Sequence, residues 1–200
     1  MRAIFTALAV VAIFFAWSNN VSAAVFTQEQ VDKIMNYVDQ NPAESPENTS
    51  ALNLTPAQLQ EKFNAELKPV LDKTQFENDE ERATMEKVFL IQDFQIFEEE
   101  NGKFYLNIFG DGVAILGMTG NNDDRFKVAS CAYINPESQG EKVLSSLVLF
   151  SFVKSVAPEE NPQKLLETLA AEQSGSLTRS GIKFSVVKDG NLILLSAVAE

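Results

Sequence analysis

Between Val88 and Ile134 the chain carries four stretches rich in Phe, Ile and Val, each separated from the next by a short connection containing Gly, Asn or Asp. The stretches are Val88 to Phe97, Phe104 to Phe109, Val113 to Met118 and Phe126 to Ile134. The connections contain Asn101-Gly102, Gly110-Asp111-Gly112 and Gly120-Asn121-Asn122-Asp123-Asp124. β-branched and aromatic side chains fit a pleated surface, and Gly supplies the backbone angles that tight turns need. Connections this short join antiparallel neighbours, because a parallel crossover takes a dozen residues or more. The pattern predicts a four-stranded antiparallel meander. A hairpin from Ile182 to Val187 and Leu192 to Ala199, around Asp189-Gly190, closes the chain.

Helical periods lie on either side of the meander. Thr27 with Gln30 has the form of a capping box, and Val31, Ile34, Met35 and Val38 follow at i, i+3, i+4 and i+7, which predicts an amphipathic helix from Gln28 to Asp39. A polar stretch with two prolines, Asn41 to Ser50, reads as a linker. The next helix starts with Thr55 as cap, Pro56 at the first position, Gln58 closing the box and Leu54 able to staple onto Leu59. Leu59, Phe63 and Leu67 form its apolar stripe and Pro69 marks its expected end. The acidic stretch Thr74 to Glu86 reads as an exposed loop or a frayed turn. After Pro136 the period is helical from Gly140 to Val156, and again from Pro162 to Gln173. The expected order is αα-ββββ-αα-ββ, an α+β fold with helices on one face of a mainly antiparallel sheet.

The first 23 residues have the composition of an export signal. Arg2 gives a cationic start, Ala3 to Trp17 are uncharged and mostly apolar, and Val21-Ser22-Ala23 offers small residues for cleavage. The apolar run is shorter than the ~20 residues a membrane-spanning helix requires. The expected organisation is a signal peptide over 1–23, an amphipathic helix and linker over 24–50, and one α+β domain over 51–200. The location this implies is the periplasm or the exterior of a bacterium. The triplets Asn48-Thr49-Ser50 and Asn53-Leu54-Thr55 match the glycosylation pattern, which matters only in a eukaryotic secretory pathway.

Composition bounds the chemistry. With no histidine, Ser-His-Asp and Cys-His sites and His-ligated haem are excluded, and with Cys131 as the single cysteine there is no intrachain disulfide or cysteine-rich metal site. Without Arg2, 15 basic residues face 28 acidic ones, a balance of -13 that opposes nucleic-acid binding.

Each remaining motif has a plain structural reading. Ser151-Phe152-Val153-Lys154 has the Ser-x-x-Lys spacing of serine acyl-transfer enzymes, but no Lys-Thr-Gly accompanies it. Cys131 lies in an apolar strand, where a thiol behaves as a small hydrophobe. The carboxylates of Glu98-Glu99-Glu100, Asp123-Asp124 and Glu159-Glu160 lack the Asp-x-Asp-x-Asp-Gly order of a calcium loop. Gly175 to Gly181 is Gly- and Ser-rich but follows a helix and precedes a strand, the reverse of a phosphate-cradling order. The helix from Gly140 to Val156 changes its apolar direction, from Val143, Leu144 and Leu147 to Leu149, Phe152 and Val156. Its second half is expected to be core, covered in part by the Leu165, Leu166 and Leu169 stripe; a second subunit or a hydrophobic ligand is the alternative cover.

No catalytic, cofactor-binding or metal-ligating residue is assigned, no cofactor is expected, and the binding residues are left open. The function these readings favour is an exported, non-catalytic binding or protein-interaction module. Its partner would be another protein or a second copy of the chain, with no nucleic acid and no stable membrane anchor once the signal is removed. The alternatives are a periplasmic inhibitor or immunity-type protein, a hydrophobic-ligand binder, and a hydrolase using carboxylates or Ser151 with Lys154.

Overall fold

The computed structural model describes residues 50–99, 102–109, 112–134, 139–172, 175–190 and 192–200. The expected signal peptide, the Gln28 to Asp39 helix and all of the linker but Ser50 lie outside the described residues. The elements are α1 (Pro56–Asp72), α2 (Asp79–Phe89), β1 (Gln95–Glu99), β2 (Gly102–Phe109), β3 (Val113–Gly120), β4 (Asp123–Ile134), α3 (Gln139–Val156), α4 (Pro162–Ala171), β5 (Ser176–Arg179), β6 (Ile182–Asp189) and β7 (Leu192–Ala199). All seven strands form one antiparallel sheet in the order β1-β2-β3-β4-β7-β6-β5. The α+β class is as expected. The final hairpin joins the meander through β7 on β4, so β1 and β5 are left as the two edges.

α1 begins with the capping box: Gln58 N–H donates to Thr55 Oγ1 at 3.2 Å and Thr55 N–H to Gln58 Oε1 at 3.0 Å. It does not end at Pro69 but continues to Asp72, burying Leu71 after Leu59, Phe63 and Leu67. Pro69 removes the partner of the Ala65 carbonyl, yet both residues lie on the exposed side, where water can take the carbonyl while the buried stripe continues.

The acidic stretch is not a loop. Asn78 caps α2 by accepting from Glu81 N–H at 2.8 Å, and Asp79, Glu80 and Glu81 sit in its first turn, where the helix dipole favours negative charge. Met85 and Phe89 bury its short apolar face. Val88 is therefore helical, and the strand expected from Val88 begins only at Gln95. Between them Asn64 holds the chain against α1, donating to the Ile91 carbonyl at 2.8 Å and accepting from Ile91 N–H at 2.9 Å, while Gln60 donates to the carbonyl of Gln92.

A further correction is the strand count, seven among the described residues rather than six. Ser176–Arg179 pairs with Ile182–Ser185 across the two-residue turn Ser180-Gly181, whose φ values of 53° and 73° are both positive, as a type I′ hairpin demands.

The core lies between the helices and the sheet face that carries Val113, Ile115, Ala129, Cys131, Leu195 and Ala197. A register shift opposite Met118 and Thr119 pairs Thr119 with Phe126, turning the Phe126 ring toward this face. A Cβ on Gly117 would lie 2.5 Å from that ring, so the close approach requires glycine. At the start of the described chain, Leu52 N–H donates to the Phe126 carbonyl at 2.7 Å and Phe126 N–H to the Leu54 carbonyl at 2.9 Å, while Ser50 bridges to Ala199.

Candidate functional site

Among the described residues three large apolar side chains are markedly exposed: Ile96 at 56 %, Phe97 at 42 % and Phe150 at 40 %. Two of them are neighbours on β1. Among the described residues this strand pairs only with β2 and forms one end of the sheet, so its outer backbone groups face away from the ladder. Ile96 and Phe97 point to opposite faces, and together they give the edge an apolar side chain on each side.

The strand is held on its inner side. Phe97 lies opposite Phe104, with ring centroids 6.1 Å apart, and Ile96 lies opposite Tyr105. The Tyr105 ring sits edge-on between Phe94, 6.0 Å away, and Phe126, 5.6 Å away, linking the edge to the core. Cross-strand, Lys103 Nζ lies 3.1 Å from Glu98. Both side chains are well exposed, so this pair sets local register more than it adds stability. The Asn64 and Gln60 hydrogen bonds fix the approach to the strand, which makes the edge a pre-ordered surface.

The residues singled out from the sequence lie elsewhere. Ser151 is buried in α3 and its carbonyl accepts from Ser155 Oγ, while Lys154 Nζ donates to the Pro158 carbonyl at 2.7 Å. The amine is thus turned to the end of its own helix. Cys131 is fully buried, and desolvation drives its thiol pKa far above the ordinary value, the opposite of an activated nucleophile. Asp123 is occupied by Arg125, which reaches both of its carboxylate oxygens, at 2.9 Å and 2.8 Å, and whose backbone N–H adds a third bond at 3.0 Å. These hydrogen bonds lower the Asp123 pKa to about 2.

Glu160 accepts from Ser180 Oγ at 2.7 Å and ties the α3–α4 connection to the β5–β6 turn. Among the described residues no group of three or more Asp, Glu, His or Cys side chains is placed to hold a metal ion. No described helix is long and apolar enough to cross a membrane. Phe152 is at 0 % exposure, and Leu144, Val148, Val153, Leu165 and Leu169 are buried around the same helix pair, so its second half is core, as expected.

The sequence places Ile96 and Phe97 within an expected strand, and their composition and alternation alone do not mark them as exposed. The signal that could have found them is the abrupt passage from Ile96-Phe97 into Glu98-Glu99-Glu100, because charge beside an apolar pair is a common way to guard an edge. Comparison of the chain with protein-family models, with curated proteins and with solved structures finds no match.

Proposed function

We propose that the protein is an exported, non-catalytic interaction module that binds a protein partner along the edge of β1. The observation that carries this reading is the adjacent exposed pair Ile96 and Phe97 on a strand whose outer side is unpaired among the described residues. Edge pairing draws affinity from main-chain hydrogen bonds and specificity from alternate side chains, and this strand supplies one apolar contact to each face of an added strand. Charge selects the partner. The strand runs into three consecutive glutamates in a strongly acidic chain, so an extended segment with apolar and basic side chains is the complement, whereas a second acidic copy is repelled. An inhibitor or immunity-type protein acting on a basic exported enzyme or toxin is a specific form of this reading.

The test compares the wild-type mature chain with the double variant Ile96→Thr, Phe97→Thr. Both positions are about half exposed and Phe97 packs on Phe104, so the fold should be retained with stability lowered by about 1–2 kcal/mol. Retention from envelope extract of a partner that the variant fails to retain, with binding that weakens as salt rises, is the expected result. Equal retention by both proteins, or turnover on a hydrolase panel that is lost in Ser151→Ala, would overturn the reading.

A further inference from the structure

We propose that the face of the sheet turned away from the described helices is covered by the N-terminal amphipathic segment Gln28 to Asp39, packed through Val31, Ile34, Met35 and Val38. The sheet has two apolar faces. Every buried residue of α1, α2 and α4, and the buried apolar residues of α3, belong to the cluster on the first face. The second cluster, Phe104, Leu106, Ala114, Leu116, Met118, Ala132 and Leu194, consists of strand residues alone. Yet these side chains are only 0 % to 7 % exposed. Neighbours on one face of a sheet cannot bury each other to that degree, because their outer ends stand clear of the pleat, so a second layer must lie on them.

No described element supplies that layer. Of the chain outside the described residues, the internal gaps are a few residues each at strand and helix ends, whereas 49 residues precede Ser50. Within those, Gln28 to Asp39 presents an apolar stripe at helical spacing with polar residues opposite. Such a helix would be about 18 Å long. That matches the width of β2, β3, β4 and β7, roughly 15 Å at the usual strand spacing. Reach is sufficient as well, because Ser50 is fixed at Ala199 and a ten-residue linker spans up to about 33 Å.

The second face is also shaped for close approach. Ala114, Ala132, Ser130 and Ser196 form a low centre, and the two serine hydroxyls bond each other at 2.9 Å, so an apolar layer can cover them without stranding a polar group.

The test uses photo-activatable methionine in the mature protein purified from the envelope. Met35 lies in the segment, Met118 on the second face and Met85 on the helix side. The expected result is a cross-link from Met35 to β2, β3, β4 or β7 within one chain, judged by mixing light and isotope-labelled protein, with none to α2. Links between labelled and unlabelled chains would make a second copy the cover, and links from Met35 to the helices, or none at all, would leave the segment off this face; each overturns the proposal. Val31→Asp with Met35→Asp should raise hydrophobic-dye fluorescence several-fold while the helix-side core remains folded. Unchanged dye binding with an unchanged monomer would also overturn it.

Discussion

Replacing Phe152 by Ala separates a core helix from an interface helix, and Phe150 two residues away is its internal control. Phe152 is 0 % exposed and Phe150 is 40 % exposed, on one helix and in one backbone conformation. Loss of roughly 100–150 Å² of buried aromatic area at about 25 cal/mol per Å² amounts to ~3 kcal/mol. The helix that carries it packs on α1, α4 and the sheet, so the emptied site cannot collapse freely and a residual cavity should bring the total to ~3–5 kcal/mol. The gain in helix propensity from Phe to Ala, about 0.5 kcal/mol, is common to both variants and cancels in the comparison. For Phe150→Ala the partial burial lost is largely offset by that gain, and the change should stay below about 1 kcal/mol. Urea unfolding monitored by far-ultraviolet circular dichroism, with equal slopes for wild type and both variants, measures the difference. A Phe152→Ala protein that unfolds within 1 kcal/mol of wild type, or two variants equally destabilised, would refute the assignment of the second half of α3 to the core.

Gly117→Ala places a methyl group where the Phe126 ring lies and should cost about 1–3 kcal/mol; Gly117→Ala with Phe126→Leu should recover part of the loss, measured by the same unfolding curves. Asn64→Ala leaves the N–H of the buried Ile91 without its side-chain acceptor, while the Ile91 carbonyl keeps Gln60 as a donor at 3.1 Å, and should destabilise by about 1–2 kcal/mol, with faster amide exchange at Ile91 as the local signature. Cys131 should react with a thiol reagent at pH 8 only at the rate of opening, because burial holds the thiol protonated and covered; immediate labelling of the native protein would contradict this. The Asp123 carboxyl should titrate at about 2 by carbon NMR, and Arg125→Gln should move the midpoint up toward 3.8. Since the folded pKa lies below the unfolded one, this contact supports the β3–β4 turn at pH above about 4 and is lost as pH falls from 4 toward 2.

Local chemistry was legible in the chain. The Thr55 capping box, the Gly-bearing connections between β2, β3 and β4, and Asp189-Gly190 each act over a few residues, and each appears where the residues demand it. Two elements, α2 and β5, were not legible. Val88 and Phe89 belong to an apolar run short enough to suit strand or helix, and only the packing of Met85 and Phe89 decides for helix. The acids of α2 read as solvated loop because their favourable interaction with a helix start exists only once that helix has formed. Ser176–Arg179 is too short and polar to announce a strand, although Ser180-Gly181 before Ile182 was a hairpin signal.

Exposure was decided by the tertiary structure alone. Ile96 and Phe97 have the composition of core residues and become a candidate docking edge only because β1 ends the strand order. Leu116 and Ile115 are adjacent and equally apolar, yet they belong to different layers of the molecule. Side-chain alternation fixes that two such neighbours face opposite ways, whereas what covers each face depends on segments distant in the chain, and no period within a strand records that distance.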